Sequence, residues 1–126
     1  MTPAQITTGT QTLTAAGPAA GSLDISNPAP HDYMLEITVL GLSAAAGSPK
    51  ARIVVEDSVD AFAHSLPVMV YNIEGPITPD APVEQSWNRD HIPSLRIGQA
   101  GAVLRVNVVD LDGTTPSISL AGTLSL

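Results

Sequence analysis

The chain has 126 residues, about one domain's length, with 12 acidic and 5 basic residues and a formal charge of −7. No Lys/Arg cluster offsets that charge, so a phosphate backbone would be repelled and nucleic acid is not an expected partner. Cysteine is absent, which excludes disulfides and thiolate chemistry, and only four residues are aromatic.

The opening "MTPAQITTGT" (1–10) is polar and has no apolar row. It reads as a flexible N-terminal arm that folding does not need, leaving residues 11–126 as a single domain. "TQTLTAA" (10–16) and "GSLDIS" (21–26) are short candidate strands around the turn-rich spacer "GPAAG". "YMLEITVLGL" (33–42) sets Tyr33, Leu35, Ile37 and Val39 against Met34, Glu36, Thr38 and Leu40, a period of two. "GLSAAAGSP" (41–49) is bracketed by Gly and Pro and reads as a loop.

"ARIVVED" (51–57) alternates again, and "EDSVD" (56–60) reads as a solvated acidic loop at its end. "LPVMVYNI" (66–73) is apolar on both parities, the pattern of a central strand covered on both sides. "EGPITPDAPVE" (74–84) holds three prolines, which remove ladder donors and predict an edge or a long loop. "QSWNR" (85–89) and "SLRI" (94–97) are short strands or one interrupted strand. "AVLRVNVVDL" (102–111) and "PSISLAGTLSL" (116–126) alternate around "DGTTP", which predicts a hairpin turning at Asp112-Gly113. The last strand would send Ile118, Leu120, Leu124 and Leu126 to the core, with Gly122 as a gap. Helix signals are nearly absent. About seven to nine short antiparallel strands at roughly ten-residue intervals predict an all-β fold, a single β-sandwich of immunoglobulin-like or jelly-roll-like type.

Chemistry is sparse. His31, His64 and His91 lie far apart and show no metal-ligand spacing. "DLDG" (110–113) opens like a calcium loop but lacks the later ligands, and Asp-Gly between alternating strands reads as a turn. Glu56, Asp57 and Asp60 have no nucleophile or His beside them that would suit acid/base work. No nucleophile elbow, phosphate loop or dinucleotide fingerprint is present. Trp87, Tyr33 and Tyr71 are too few for a sugar platform and read as packing residues. The expectation is a non-enzyme with no catalytic residues, no cofactor and no metal.

Three stretches carry a resemblance: "TTGTQTLTAAGPAAGSLDISNPA", "ARIVVEDSVDAFAHSLPV" and "AVLRVNVVDLDGTTPSISLAGTLSL". Together they resemble small β-sandwich virion proteins of tailed bacteriophages, of the capsid decoration (cement) type. The likeness rests on Val55-Glu56-Asp57-Ser58 leading into an acidic loop with Phe62, on Leu104-Arg105-Val106-Asn107-Val108, and on the Gly-Thr-Thr-Pro-Ser turn. It implies a partner, the major capsid protein of the same particle, and a homo-oligomer, with a trimer favoured. It also implies a place on the capsid exterior after assembly in the host cytoplasm. The segments 74–84 and 86–93 are longer than in the simplest members, so no binding residue is carried across.

The same N-terminus lacks the basic region and apolar core of a secretion signal, and no apolar run is long enough to span a membrane. Neither membrane nor export is therefore expected. Two other readings compete with decoration: a tail or head–tail joining protein, and an immunoglobulin-like adhesion or carbohydrate-binding module.

Overall fold

The alternating stretches become strands. A computed structural model describes residues 3–27 and 32–126, and among them no helix forms. In chain order the strands are β1 (Pro3–Gln5), β2 (Gln11–Leu13), β3 (Gly17–Pro18), β4 (Leu23–Asp24), β5 (Met34–Ser43), β6 (Ala46–Ser58), β7 (Leu66–Glu74), β8 (Val83–Asn88), β9 (Val103–Thr114) and β10 (Ser117–Ser125). One antiparallel sheet runs β1-β10-β5-β8, with β2 also on β10. The other runs β3-β9-β6-β7, with β4 also on β9. The result is the all-β sandwich that the period-two patterning calls for.

The core lies between the inward parities of the long strands. β5 contributes Leu35, Ile37 and Val39; β6 Ile53 and Val55; β9 Leu104, Val106 and Val108; β10 Ile118, Leu120 and Leu124, all fully buried. The gap at Gly122 has a steric reason. A Cβ there would lie 3.0 Å from Val106 Cγ2 and 3.1 Å from Ile37 Cδ1, so larger neighbours already fill the space. Leu126, read as the end of the apolar row, is only half-buried.

The N-terminal arm is the largest departure from expectation. Met1 and Thr2 lie outside the described residues, but from Pro3 onward the segment is docked. Pro3–Gln5 pairs with Thr123–Ser125 of β10. Ile6 is fully buried, and its N–H donates to the Gly122 carbonyl at 2.9 Å. The Gly122 N–H in turn donates to Thr7 Oγ1 at 3.1 Å. The chain then crosses to the second sheet, where the Ala19 N–H donates to Val106 O at 2.9 Å and the Ile25 N–H to Ala102 O at 3.0 Å. Residues 3–25 therefore lace one side of the sandwich, anchored in the core by Ile6 near one end, Ile25 at the other and Ala19 between them.

Other expectations change as well. β7 is the edge of its sheet and not a central strand: among the described residues it pairs with β6 alone, and its second apolar parity faces outward. The loop read over 41–49 shrinks to Ala44 and Ala45, where the chain leaves one sheet for the other. "SLRI" forms no strand. β9 and β10 do not make a hairpin, because they belong to opposite sheets; β9 continues through Asp112 and Gly113 to Thr114. The Pro-rich 74–84 segment does form a connection between the sheets, from the end of β7 to β8.

Ile6→Ala and Leu120→Ala are each expected to lower the free energy of unfolding in urea by about 2–5 kcal/mol, as truncation of a buried aliphatic side chain does. A loss below about 0.5 kcal/mol for Ile6→Ala, the size of an ordinary surface change, would detach the N-terminal segment from the core.

Candidate interaction surface

Of the acidic run read over 56–60, Asp60 is exposed as expected, but the part within β6 is not solvated. Glu56, Asp57 and Ser58 are all buried. Adjacent strand residues face opposite ways, so Glu56 and Asp57 find different partners. Asp57 turns inward, and its side chain is 1% exposed against 24% for Arg96. Arg96 Nη2 and Nε donate to Asp57 Oδ1 at 2.7 and 3.1 Å. The Arg96 backbone N–H donates to Oδ2 at 3.1 Å, and Nη2 also reaches the Asp57 carbonyl at 3.2 Å. These bonds to Asp57 hold the Arg96 guanidinium above its ordinary pKa. They also pin the 89–102 connection, which plugs this end of the core with Ile92 and Ile97. The Tyr33 hydroxyl donates to Ile92 O within the same plug, and burial raises its pKa.

Glu56 turns outward. Arg105 Nε donates to Glu56 Oε1 at 2.5 Å, and the guanidinium carbon sits 4.1 Å from the centre of the Phe62 ring, a cation–π contact. Phe62 belongs to the turn between β6 and β7, and that turn is strained. Ala61 and Phe62 have φ of 56° and 64°, and the Ala63 N–H donates to Asp60 O at 3.3 Å. Two consecutive positive φ values are ordinarily met by Asn-Gly, and each costs a side-chain-bearing residue about 1–2 kcal/mol.

Side chains hold the strained turn. Ser58 Oγ accepts from the backbone N–H of Asp60 and of Phe62, and donates to Asp60 Oδ1 at 2.6 Å. The His64 N–H donates to the same oxygen at 3.0 Å, and His64 Nδ1 lies 2.6 Å from Oδ2. The surface offered is Val59, Ala61, Ala63 and the His64 ring, all exposed.

At the opposite end, the outer face of the β7–β6–β9 sheet carries a shallow charged groove lined by Lys50, Arg52, Asn72, Glu74, Asp110 and Asp112. Its charges answer one another across strands. Lys50 Nζ is 3.7 Å from Glu74, Arg52 Nη1 is 3.5 Å from Asp110, and Arg52 Nε donates to Asn72 Oδ1 at 3.0 Å. Asp110 and Asp112 thus occupy the ladder positions opposite Arg52 and Lys50, not a turn. Among the described residues no three His, Asp or Glu side chains gather as a metal-binding group. His91 lies in the turn after β8, where its N–H donates to Asn88 O at 3.0 Å, and His31 lies outside the described residues. Trp87 packs edge-on against Tyr71 at 5.3 Å, joining the edge strands β7 and β8 across the sandwich.

Sequence reading missed Asp57–Arg96 and the turn network. The pairing of a buried carboxylate with a residue 39 positions away has no local signal. Ser58-x-Asp60 with His64 at i+4 is a local pattern that could have suggested a bonded turn. Comparison with protein-family models, curated proteins and solved structures returns no match.

The Ser58 hydroxyl, then the His64 backbone N–H and ring, hold the Asp60 carboxyl far below the usual carboxylate range. A depressed folded pKa contributes stability above the unfolded value, near pH 4, that is lost as pH falls through the folded value. The gap in melting temperature between the native chain and Asp60→Asn should hold steady above about pH 5 and narrow below about pH 4. A gap that does not change across that range would mean the Asp60 charge does not brace the turn.

Proposed function

We propose that this chain is a structural protein of a tailed-phage virion, which decorates the capsid and stabilises it by binding where capsomers of the major capsid protein meet. It works as a homo-oligomer, for which the sequence resemblance favours a trimer, and is added to the shell exterior in the host cytoplasm. The observation that carries this reading is the β6–β7 turn. Backbone strain at Ala61 and Phe62 persists only because Ser58, Asp60, His64 and Arg105 over-determine it, and strain of this kind concentrates where a surface is put to use. The turn meets a partner in its bound shape, so little ordering entropy is lost on docking. Around it the charges are paired, Glu56 with Arg105 and Asp57 with Arg96, and at the tip the exposed Asp60 is bonded to His64 beside Val59, Ala61 and Ala63.

The chemistry required is binding, with no covalent step. A ligand that engages only the assembled shell stabilises it by mass action, about 2.7 kcal/mol per site at a hundredfold excess over Kd.

The test mixes the purified chain with empty, expanded shells of the major capsid protein of the same particle. Co-sedimentation and a raised shell melting temperature are expected. Ala63→Glu should keep the melting temperature of the isolated chain and weaken shell binding about tenfold or more, since it places a charge in a desolvated contact. A chain that stays in the supernatant and leaves shell melting unchanged is not a decoration protein; capture by purified tails, or by a glycan surface, would identify one of the competing readings instead.

A further inference from the structure

The sandwich has four lateral edges, and they are closed unequally. On one side, β1 and β2 (three residues each) and β3 and β4 (two residues each) break the two edges into short pieces. On the other side, β8 is six residues long and carries Glu84, with Arg89 and Asp90 just beyond it. Short strands and charges are the usual protections of a sheet edge. The nine-residue β7 is longer, and its one charge is the last residue, Glu74. From Ser65 to Ile73 no residue is charged, and Leu66 and Val70, at 57% and 53%, are the most exposed large hydrophobic residues described. Its only blunting is at the start, where Pro67 sits opposite the irregularity between Val55 and Glu56. From Met69 to Glu74 the register on β6 is unbroken.

We infer that the β7 edge is where copies of this chain join one another, by main-chain pairing of β7 with the edge of a second copy. The inference rests on the self-association in the proposed function but not on its trimer, because an antiparallel β7–β7 pair is two-fold and closes at two copies. For two copies of the chain, electrostatics selects the surface. Each copy carries −7, so two copies repel except where charge is absent or already paired. β7 has one charge, Glu74, which Lys50 answers at 3.7 Å. The rows beside it are likewise paired, Arg52 with Asp110 and Arg105 with Glu56. In an antiparallel β7–β7 ladder, like charges would face each other only in a register centred on Glu74. Strand addition would satisfy the open backbone groups of β7 and cover Val70 and Leu66. The braced β6–β7 turn and the Tyr71–Trp87 contact hold β7 in extended form before a partner arrives.

Light scattering and sedimentation velocity on the full chain test this. The native chain should form a discrete oligomer. Val70→Lys, which puts a natural edge-blocking residue on an outward position, should raise the dissociation constant about tenfold or more, with the strand signal and melting temperature retained. Leu66→Lys tests the other end of the strand and should do the same, so misfolding of one variant does not decide the matter. Val109→Lys adds the same charge at an exposed position on β9 and should leave the mass unchanged. A monomeric native chain up to about 100 μM (a Kd in the weak range), Lys variants as oligomeric as the native chain, or equal dissociation by Val109→Lys would each overturn the inference. A monomer that still stabilises shells removes the edge pairing and leaves decoration standing. A Val70-sensitive oligomer that ignores shells does the reverse.

Discussion

The buried pair between Asp57 and Arg96 is the constraint on which this end of the molecule depends. A sandwich of two sheets has open ends, and a core exposed there would lose much of its hydrophobic stabilisation. Here the 89–102 connection closes one end, and Arg96 attaches it to the last inward position of β6. Desolvating a carboxylate and a guanidinium is costly, and an apolar pair of similar size can be as stable or more so. What the ions supply is geometry. Two side-chain bonds to Oδ1, a backbone bond to Oδ2 and a reach to the Asp57 carbonyl allow one arrangement of the connection. Ile92 and Ile97 are then placed over the core, and Tyr33 finds the Ile92 carbonyl.

From that fixed end two consequences run in opposite directions. Inward, β6 is held in the register that puts Ile53 and Val55 in the core. Outward, Glu56 and Ser58 are held where they can bind Arg105 and the β6–β7 turn. The same three-residue run therefore closes the core and braces the most strained surface element. The lateral sides are closed by different means, the N-terminal lacing around Ile6 on one and the Tyr71–Trp87 contact on the other. Among the described strands, β7 is left with a long edge that is uncharged up to its last residue, Glu74.

How far the sequence discloses this depends on the range of the interaction. The inward rows of β5, β9 and β10 are visible because alternation is local, and even Gly122 stands out as a gap before its steric cause is known. The failures share a physical cause, the dependence on distant partners. In "EDSVD" the Asp57 and Glu56 carboxylates look solvated until Arg96 and Arg105 arrive from 39 and 49 residues away. "LPVMVYNI" is apolar on both faces whether a strand is covered twice or left as an edge, and periodicity does not separate the two. Asp112-Gly113 has hairpin chemistry, yet the chain crosses between sheets three residues later, where Lys50 and Ala46 still pair with β9. The polar opening hides its one anchor, because a single Ile6 makes no periodic row.

The central claim, that Asp57 and Arg96 act as one unit closing the sandwich, is tested most directly by a double-mutant cycle. Unfolding free energies in urea would be measured for the native chain, Asp57→Ala, Arg96→Ala and the double variant. Each single variant should lose about 3 kcal/mol or somewhat more, Asp57→Ala by stranding the cation and Arg96→Ala by leaving a buried carboxylate unpaired. The double variant should lose much less than the sum, with a coupling of about 2–3 kcal/mol. Additive losses, with coupling within about 0.5 kcal/mol of zero, would show that the two residues act independently and that something else closes this end of the fold.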